Sequence, residues 1–179
     1  MSVDSGIALL VALAGALLFA AASAHKLRAF SVFEATLAEY RLLPASLVRP
    51  MAMVVVIVEG ALMIGLLVPG TRAASSIAGA ALLAIYATAI GINLARGRRD
   101  LDCGCTLQHR PIGNWMIARN LVLSGLLLIA AFPVSHRPLG VPDAVTIVAT
   151  LLVAALLYLS ADLLLGRAPS RRGYSMDTP

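Results

Sequence analysis

The two cysteines of the chain stand one residue apart, as Cys103-Gly104-Cys105, in a polar stretch that precedes an apolar segment. A disulfide between them would close a very small ring, so it would remove little entropy from the unfolded chain and would be strained. Strained or exposed disulfides are oxidising and are readily reduced. Gly104 gives the backbone the conformational freedom that this closure needs. The spacing therefore favours thiol–disulfide exchange over a structural crosslink.

Other interpretations of the cysteine pair stay open. A structural zinc site needs about four ligands, and the other plausible donors nearby are only His109, Asp102 and His25. Zinc is therefore disfavoured, although two thiolates could hold copper(I). The cysteines could also be two small, inert residues that share a turn by coincidence. We expect no metal.

The composition indicates that the cysteine pair belongs to a membrane protein. Of the 179 residues, 60% are hydrophobic and 13% are charged, and the mean hydropathy is +0.90. Soluble domains carry about 25% charged residues, so lipid must cover most of this surface. Five apolar segments approach the length of about 20 residues that a spanning helix needs: Gly6–Ala24, Met51–Val68, Ile77–Leu94, Ile112–Phe132 and Val141–Leu165.

We therefore predict an all-α integral membrane bundle of five spanning helices, with a four-helix core as the alternative. A single membrane domain is expected over residues 1–166, and the polar tail over residues 167–179 is expected to be disordered. The first span carries Asp4 where a secretory signal would carry a positive charge, so we expect it to remain uncleaved. Pro50 is expected to precede the second span, and Pro69-Gly70 to form a tight turn after it.

A segment between the first two spans has the pattern of an amphipathic helix. Its apolar residues recur at intervals of three and four, with charges between them: Leu27, Phe30, Phe33, Leu37 and Tyr40. This pattern predicts a helix that lies in the membrane interface. A solvated linker is the alternative.

The distribution of basic residues predicts the orientation of the chain. The first loop, the third loop and the tail together hold eleven lysines and arginines, whereas the second and fourth loops hold only Arg72 and Arg137. Because these residues accumulate on the cytoplasmic side, five spans would place the N-terminus outside and the tail inside. The Cys-Gly-Cys loop would then face the cytoplasm. No basic patch is interleaved with aromatic residues, so membrane lipid is the expected partner and nucleic acid is not.

Four polar residues within the apolar segments are candidate binding or ion-pair residues: Glu59, Asn93, Arg119 and Asn120. Glu59 lies near the middle of the second span, where a carboxylate normally faces the bundle interior. It is either a hydrogen-bonded packing residue or a functional one, and Gly60 beside it would permit close helix approach. Arg119 and Asn120 lie about two turns into the fourth span. Arg119 either extends to the interface or stays inside, where it would pair with Glu59 or bind an anionic group.

Asn93 and the remaining polar candidates belong to the surroundings of the cysteine loop. Asn93, on the third span, could line the same cavity. His25 and Lys26, at the end of the first span, either supply interfacial charge or form the mouth of the site, together with His109.

Several stretches, in this order, resemble the MauE family of bacterial membrane proteins, which is related in pattern to the DoxX-like family. They are AASAHKL, FEATLAEYRLLP, VEGALMIGLL, DCGC and IGNWMIARNLVL. The resemblance covers nearly the whole chain, and DCGC followed by the W-x-x-x-R-N helix is its most specific part. Members of the family often show a Cys-Gly-Cys-Phe-Gly run, whereas Thr106-Leu107 follow the second cysteine here.

The resemblance implies a redox-associated role in the maturation of a periplasmic, disulfide-rich subunit of methylamine dehydrogenase. Cys103 and Cys105 would exchange disulfides, Arg119 would contact an anion or a quinone carbonyl, and Glu59 would be its counter-charge. A quinone is the possible cofactor, and the partner would be a thioredoxin-like protein or the exported enzyme subunit. A non-enzymatic membrane chaperone or scaffold and a small-solute transporter are the alternatives.

The predicted orientation and the implied client lie on opposite sides of the membrane. The basic residues place the cysteines in the cytoplasm, whereas the client is exported. Either electrons cross the membrane through a shared partner or cavity, or the number of spans differs from five.

Overall fold

The computed structural model describes residues 3–98, 101, 112–133, 135 and 138–165, with side chains up to Ala161. Six helices follow one another: α1 (Ser5–Arg28), α2 (Phe30–Glu39), α3 (Ala45–Leu67), α4 (Arg72–Ala95), α5 (Asn114–Ile129) and α6 (Val141–Leu165). The predicted all-α class is therefore confirmed. Four of these helices, α1, α3, α4 and α6, are long and apolar enough to cross a membrane, whereas α5 has 16 residues.

The helices extend beyond the apolar segments that the sequence indicated. α1 continues past Ala24 to Arg28, and α3 already begins at Ala45, after Pro44. Pro50 therefore lies inside α3 rather than before it. Hydropathy marks the part of a helix that lipid would cover, whereas a helix continues through its polar end until a residue breaks the backbone repeat. The expected tight turn at Pro69-Gly70 is confirmed, because α3 ends at Leu67 and α4 begins at Arg72.

Backbone hydrogen bonds fix the direction of α5 in the bundle. Near the start of α1, the Val3 N–H donates to the Pro133 carbonyl (2.9 Å), and the Ser135 N–H donates to the Val3 carbonyl (2.8 Å). At the opposite end, the Ile112 N–H donates to the Leu101 carbonyl (3.0 Å). We call this opposite end, defined by Leu101 and Ile112, the cysteine end, because residues 102–111 connect the two. α5 therefore runs along the bundle, although its 16 residues span only about 24 Å.

The core of the bundle is formed by α1, α3, α4 and α5. Its buried residues come from all four helices: Ala16, Phe19, Leu62, Leu66, Ala80, Leu83 and Leu127. Gly15 lets α1 approach its neighbours closely, since a Cβ there would lie 2.7 Å from Leu127 Cδ2 and 3.1 Å from Leu66 Cδ1. The sequence indicated Gly60 for this role, which was wrong, because a Cβ at Gly60 would meet nothing within 4 Å. Gly60 therefore lies on a side of α3 where no described helix approaches the backbone closely.

Helix α6 lies at the periphery of this four-helix core. It packs against α1, and Ile147 is its buried hydrophobic residue within the described range. Its other large aliphatic side chains are mostly exposed, as expected for a helix that faces lipid.

Helix α2 is amphipathic, as its sequence pattern predicted. Thr36 and Tyr40 are buried, and Phe33 and Leu37 are half-buried. Leu27, which the pattern also included, belongs to α1 and is exposed. The helical repeat is broken at Ala29, so Leu27 does not continue the apolar face of α2. α2 packs against α3 at the cysteine end.

Candidate functional site

A buried ion pair joins α1 to α3. Lys26 Nζ donates to Glu59 Oε1, and the two side chains are 3% and 0% exposed. Lys26 lies two residues before the end of α1, and helical side chains point back towards the N-terminus of their helix. Its ammonium group therefore extends into the bundle instead of out to the interface. Each charge offsets part of the cost of burying the other.

Two aromatic residues complete the surroundings of this ion pair. The Tyr86 hydroxyl, on α4, donates to Glu59 Oε1 (2.8 Å). Lys26 Nζ lies 5.2 Å from the centroid of the Phe33 ring, on α2, and 5.4 Å from that of Tyr86. Both distances are within the range of cation–π attraction. Residues from α2, α3 and α4 thus surround the Lys26 ammonium group of α1.

The second carboxylate oxygen of Glu59 has a different environment. Oε1 accepts both described hydrogen bonds, whereas Oε2 is buried and has no hydrogen-bond partner among the residues that the structure describes. Most buried polar atoms in proteins have at least one partner. The Glu59 carboxylate is therefore bound asymmetrically.

Glu59 has a different partner from the one that the sequence suggested. Arg119, expected as its counter-charge, lies on α5, and its guanidinium carbon is 5.8 Å from the centroid of the Tyr158 ring on α6. α5 packs mainly along α4, whereas α3 packs mainly along α1. Lys26, on α1, is therefore the cation that reaches Glu59. Arg119 is 8% exposed, so its side chain remains within the protein.

The two candidate asparagines are also buried. Asn120 follows Arg119 on α5. Asn93 Nδ2 donates to the Ala89 carbonyl (3.1 Å), and Asn93 Oδ1 accepts from Arg98 Nη1 (3.3 Å). The same Arg98 nitrogen donates to the Glu39 carbonyl (2.7 Å). Asn93 thus helps to tie the end of α4 to the end of α2.

His25 lies in the last turn of α1, next to Lys26 and near the cysteine end. Both ring nitrogens are buried, and neither has a hydrogen-bond partner among the described residues. A neutral imidazole carries one donor and one acceptor, so this ring retains unused hydrogen-bonding capacity. Within the described ranges, no three His, Asp or Glu side chains lie together as potential metal ligands.

The two residues that flank the segment with the cysteines are buried in the protein. Cys103, Cys105 and His109 lie outside the described residues. The residues that flank the segment, Leu101 and Ile112, are both buried and belong to one hydrophobic cluster with Tyr40, Ile90 and Met116. The backbone hydrogen bond between Leu101 and Ile112 joins the two ends of the segment. The polypeptide that carries both thiols therefore starts and ends at one fixed point at the cysteine end.

The order of these residues along the chain matches a known family. The family model described as "Methylamine utilisation protein MauE" matches residues 4–133. This chain belongs to the MauE family. The matched region contains helices α1 to α5, and with them the Lys26–Glu59 pair and both cysteines.

Several MauE proteins are similar over most of their length. The methylamine utilization protein MauE of Methylophilus methylotrophus is 37% identical over 169 residues, which cover 91% of this chain and 88% of the relative. That of Paracoccus denitrificans is 40% identical over 157 residues, covering 84% and 83%. That of Paracoccus versutus is 39% identical over 159 residues, covering 87% and 85%. No solved structure matches the chain.

Proposed function

We propose that this multi-pass membrane protein serves methylamine utilisation by supporting the maturation of an exported redox enzyme such as methylamine dehydrogenase. Its reaction is thiol–disulfide exchange at Cys103 and Cys105, in the inner membrane of a bacterium. The names of its MauE relatives support the process. The observation that best supports the reaction is the buried contact between Leu101 and Ile112. It fixes both ends of the segment with the cysteines at one end of the bundle.

The exchange proceeds through a mixed disulfide. A thiolate of the client attacks one sulfur of the Cys103–Cys105 disulfide, and the other sulfur leaves as a thiolate. A second client thiolate then attacks the mixed disulfide, so the client leaves oxidised and the cysteine pair is left reduced. A quinone in the membrane would supply an acceptor for the two electrons and two protons that the pair releases when it is reoxidised. A thioredoxin-like protein that carries a disulfide is the alternative acceptor.

Neighbouring charges support the reactivity of the pair. Arg99, His109 and Arg110 surround the cysteines in sequence and favour the thiolate, whereas Asp100 and Asp102 oppose it. Arg119, buried on α5 close after the cysteine segment, is the proposed contact for an anion or a quinone carbonyl, and Asn120 adjoins it.

The redox state of the cysteines tests this proposal. Acid-quenched alkylation of the wild-type protein in cells should reveal both dithiol and disulfide forms, with their ratio shifted by the presence of the client. The Cys103→Ser/Cys105→Ser variant gives the reference for unlabelled protein. If both cysteines stay reduced under every growth condition, the exchange reaction is excluded and the scaffold alternative replaces it.

We also propose that the N-terminus lies outside and the tail in the cytoplasm. Reporter fusions after Arg72 and Arg137 should then be active as periplasmic fusions, and those after Arg99 and Arg172 as cytoplasmic fusions, because basic residues are retained inside. Fusions at all four positions give an internal check on the span count. A periplasmic signal at Arg99 would contradict the proposed side of the cysteine segment.

A further inference from the structure

We propose that Arg41, Arg96 and Arg98 bind the phosphate group of an anionic phospholipid at the cysteine end of the bundle. This site goes beyond the thiol exchange proposed above and does not depend on it. Tyr40, next to Arg41, belongs to the same buried cluster as Leu101, which places Arg41 at that end. The ligand binds through charge and hydrogen bonds alone, and no covalent bond changes.

The end of α4 determines where Arg96 and Arg98 lie. Gly97 has a φ of 74°, in the left-handed region that glycine adopts without steric cost. Its N–H donates to the Leu94 carbonyl (2.9 Å), and the Arg98 N–H donates to the Asn93 carbonyl (3.0 Å). These two hydrogen bonds form the Schellman motif, which ends a helix by turning the chain back. The turn therefore presents one arginine on each side of Gly97 in a fixed backbone geometry.

Both arginines contact the turn that follows α2. Arg98 Nη1 donates to the Glu39 carbonyl (2.7 Å) and to Asn93 Oδ1 (3.3 Å). Arg96 Nη1 donates to the Arg41 carbonyl (3.4 Å). A guanidinium group has five N–H donors, and the described hydrogen bonds engage one nitrogen of each group. Each group is therefore held in place while its other two nitrogen atoms can donate to a further acceptor.

Arg41 itself has a backbone conformation that favours a different residue. Its φ of 48° lies in the left-handed region, where residues other than glycine, asparagine and aspartate are uncommon. The stability of the turn alone would favour glycine at this position. An observed backbone outlier supports a hypothesis of function, and Arg41 adds an exposed positive charge to the turn.

The three positive charges have no paired carboxylate among the residues that the structure describes. The salt bridge within those residues joins Lys26 to Glu59. Glu39 lies at the end of α2, but Arg98 binds its backbone carbonyl and not its side chain. Three like charges around one turn repel one another, and an anion between them would relieve this repulsion. Guanidinium groups bind phosphate oxygens through two parallel hydrogen bonds, so a phosphate group fits these donors.

Exposed apolar residues beside the arginines favour a lipid over a free phosphate ion. Helix α3 begins at Ala45, four residues after Arg41, and its Leu47, Met51 and Val54 side chains are exposed. Their spacing of four and three residues places them on one face of the helix, where acyl chains would cover them. Basic groups beside spanning helices attract anionic lipid headgroups. One phospholipid could therefore satisfy both the arginines and this apolar face.

Lipid binding by the purified full chain in zwitterionic micelles tests the proposal. The protein is titrated with phosphatidylglycerol and, separately, with phosphatidylcholine of the same acyl chains, whose choline group cancels the phosphate charge. Native mass spectrometry measures the bound lipid. The wild type should bind phosphatidylglycerol more tightly, by about fivefold for each arginine that the phosphate contacts.

The Arg41→Gly variant separates lipid binding from a structural role. It should lower the affinity for phosphatidylglycerol about fivefold and leave that for phosphatidylcholine unchanged. Its melting temperature in lipid-free micelles should stay the same or rise, because glycine suits the left-handed backbone. A lower melting temperature with unchanged lipid affinity would overturn the proposal, since Arg41 would then be structural.

Two further variants keep the test decisive. Arg96→Gln should also weaken phosphatidylglycerol binding, and it replaces Arg41→Gly if that variant does not fold. Arg72→Gln is the matched control, because Arg72 Nε also binds a backbone carbonyl, that of Leu66 (3.2 Å), but lies at the other end of α4. Equal affinity of the wild type for the two lipids, or an equal loss in Arg96→Gln and Arg72→Gln, overturns the proposal. Displacement of the lipid by an equal concentration of inorganic phosphate or of an acidic peptide would assign the site to a soluble anion instead.

Discussion

Replacing Lys26 or Glu59 alone is expected to lower the free energy of unfolding by about 3–5 kcal/mol, because each change leaves an uncompensated buried group. Lys26→Met removes the ammonium group and retains much of the side chain's volume. Glu59→Gln removes the charge and retains an oxygen that accepts from Tyr86. The double variant Lys26→Met/Glu59→Gln should be much less destabilised than the sum of the two, because neither charge is then left alone. Denaturant titration of the purified protein in mixed micelles measures these differences.

A parallel cycle with Arg119 is the control for this result. Arg119 lies against Tyr158 and not against Glu59, so Arg119→Met and Glu59→Gln should act additively, within about 0.5 kcal/mol. Strong coupling of Glu59 to Arg119, with additivity between Glu59 and Lys26, would contradict the ion pair described above.

The second large effect is expected at the cysteines. In a strain that lacks its own MauE protein, Cys103→Ser or Cys105→Ser should each abolish the activity of methylamine dehydrogenase, because neither half of the exchange can be completed. The amount of membrane-inserted protein should stay the same, since a serine replaces a sulfur that contributes little to stability as a crosslink. Enzyme activity and immunoblots of the membrane fraction measure the two quantities.

One of the two serine variants should also accumulate a mixed disulfide with its partner, since the resolving thiol is missing. Non-reducing electrophoresis followed by mass spectrometry identifies the trapped protein. The matched control is Thr106→Ser, which changes a neighbouring residue of the same segment and should leave activity unchanged. Full activity in the double serine variant would exclude any redox role for the pair.

The sequence predicted much of the fold because hydrophobic length is a local property. Each of the five apolar segments overlaps one of the helices α1, α3, α4, α5 and α6, and the three- and four-residue spacing predicted α2. The limits were less accurate, because helix α1 includes Lys26 and Arg28, which a hydropathy average treats as an end. The peripheral position of α6 was not predictable, since an apolar helix in lipid has the same composition whether it is central or peripheral.

The site was harder to predict than the fold, because its contacts join residues that are distant in sequence. Glu59 was identified from its depth in an apolar segment, but its partner was not. Lys26 was interpreted either as interfacial charge or as part of the mouth of a site, whereas its ammonium group binds the buried Glu59 carboxylate. No feature of the sequence distinguished Phe33 and Tyr86 from the other aromatic residues.

The hydrogen bond between Leu101 and Ile112 fixes both ends of the cysteine segment at one place in the bundle. In sequence, Cys103 and Cys105 follow Leu101 by only two and four residues, and a fully extended chain covers at most about 3.6 Å per residue. The hydrocarbon core of a membrane is about 30 Å thick, which is about twice the length of four fully extended residues. In the proposed exchange, a client would therefore bring its own cysteines to the cysteine end. If that end faces the cytoplasm, an exported client can be oxidised only through an intermediate electron carrier.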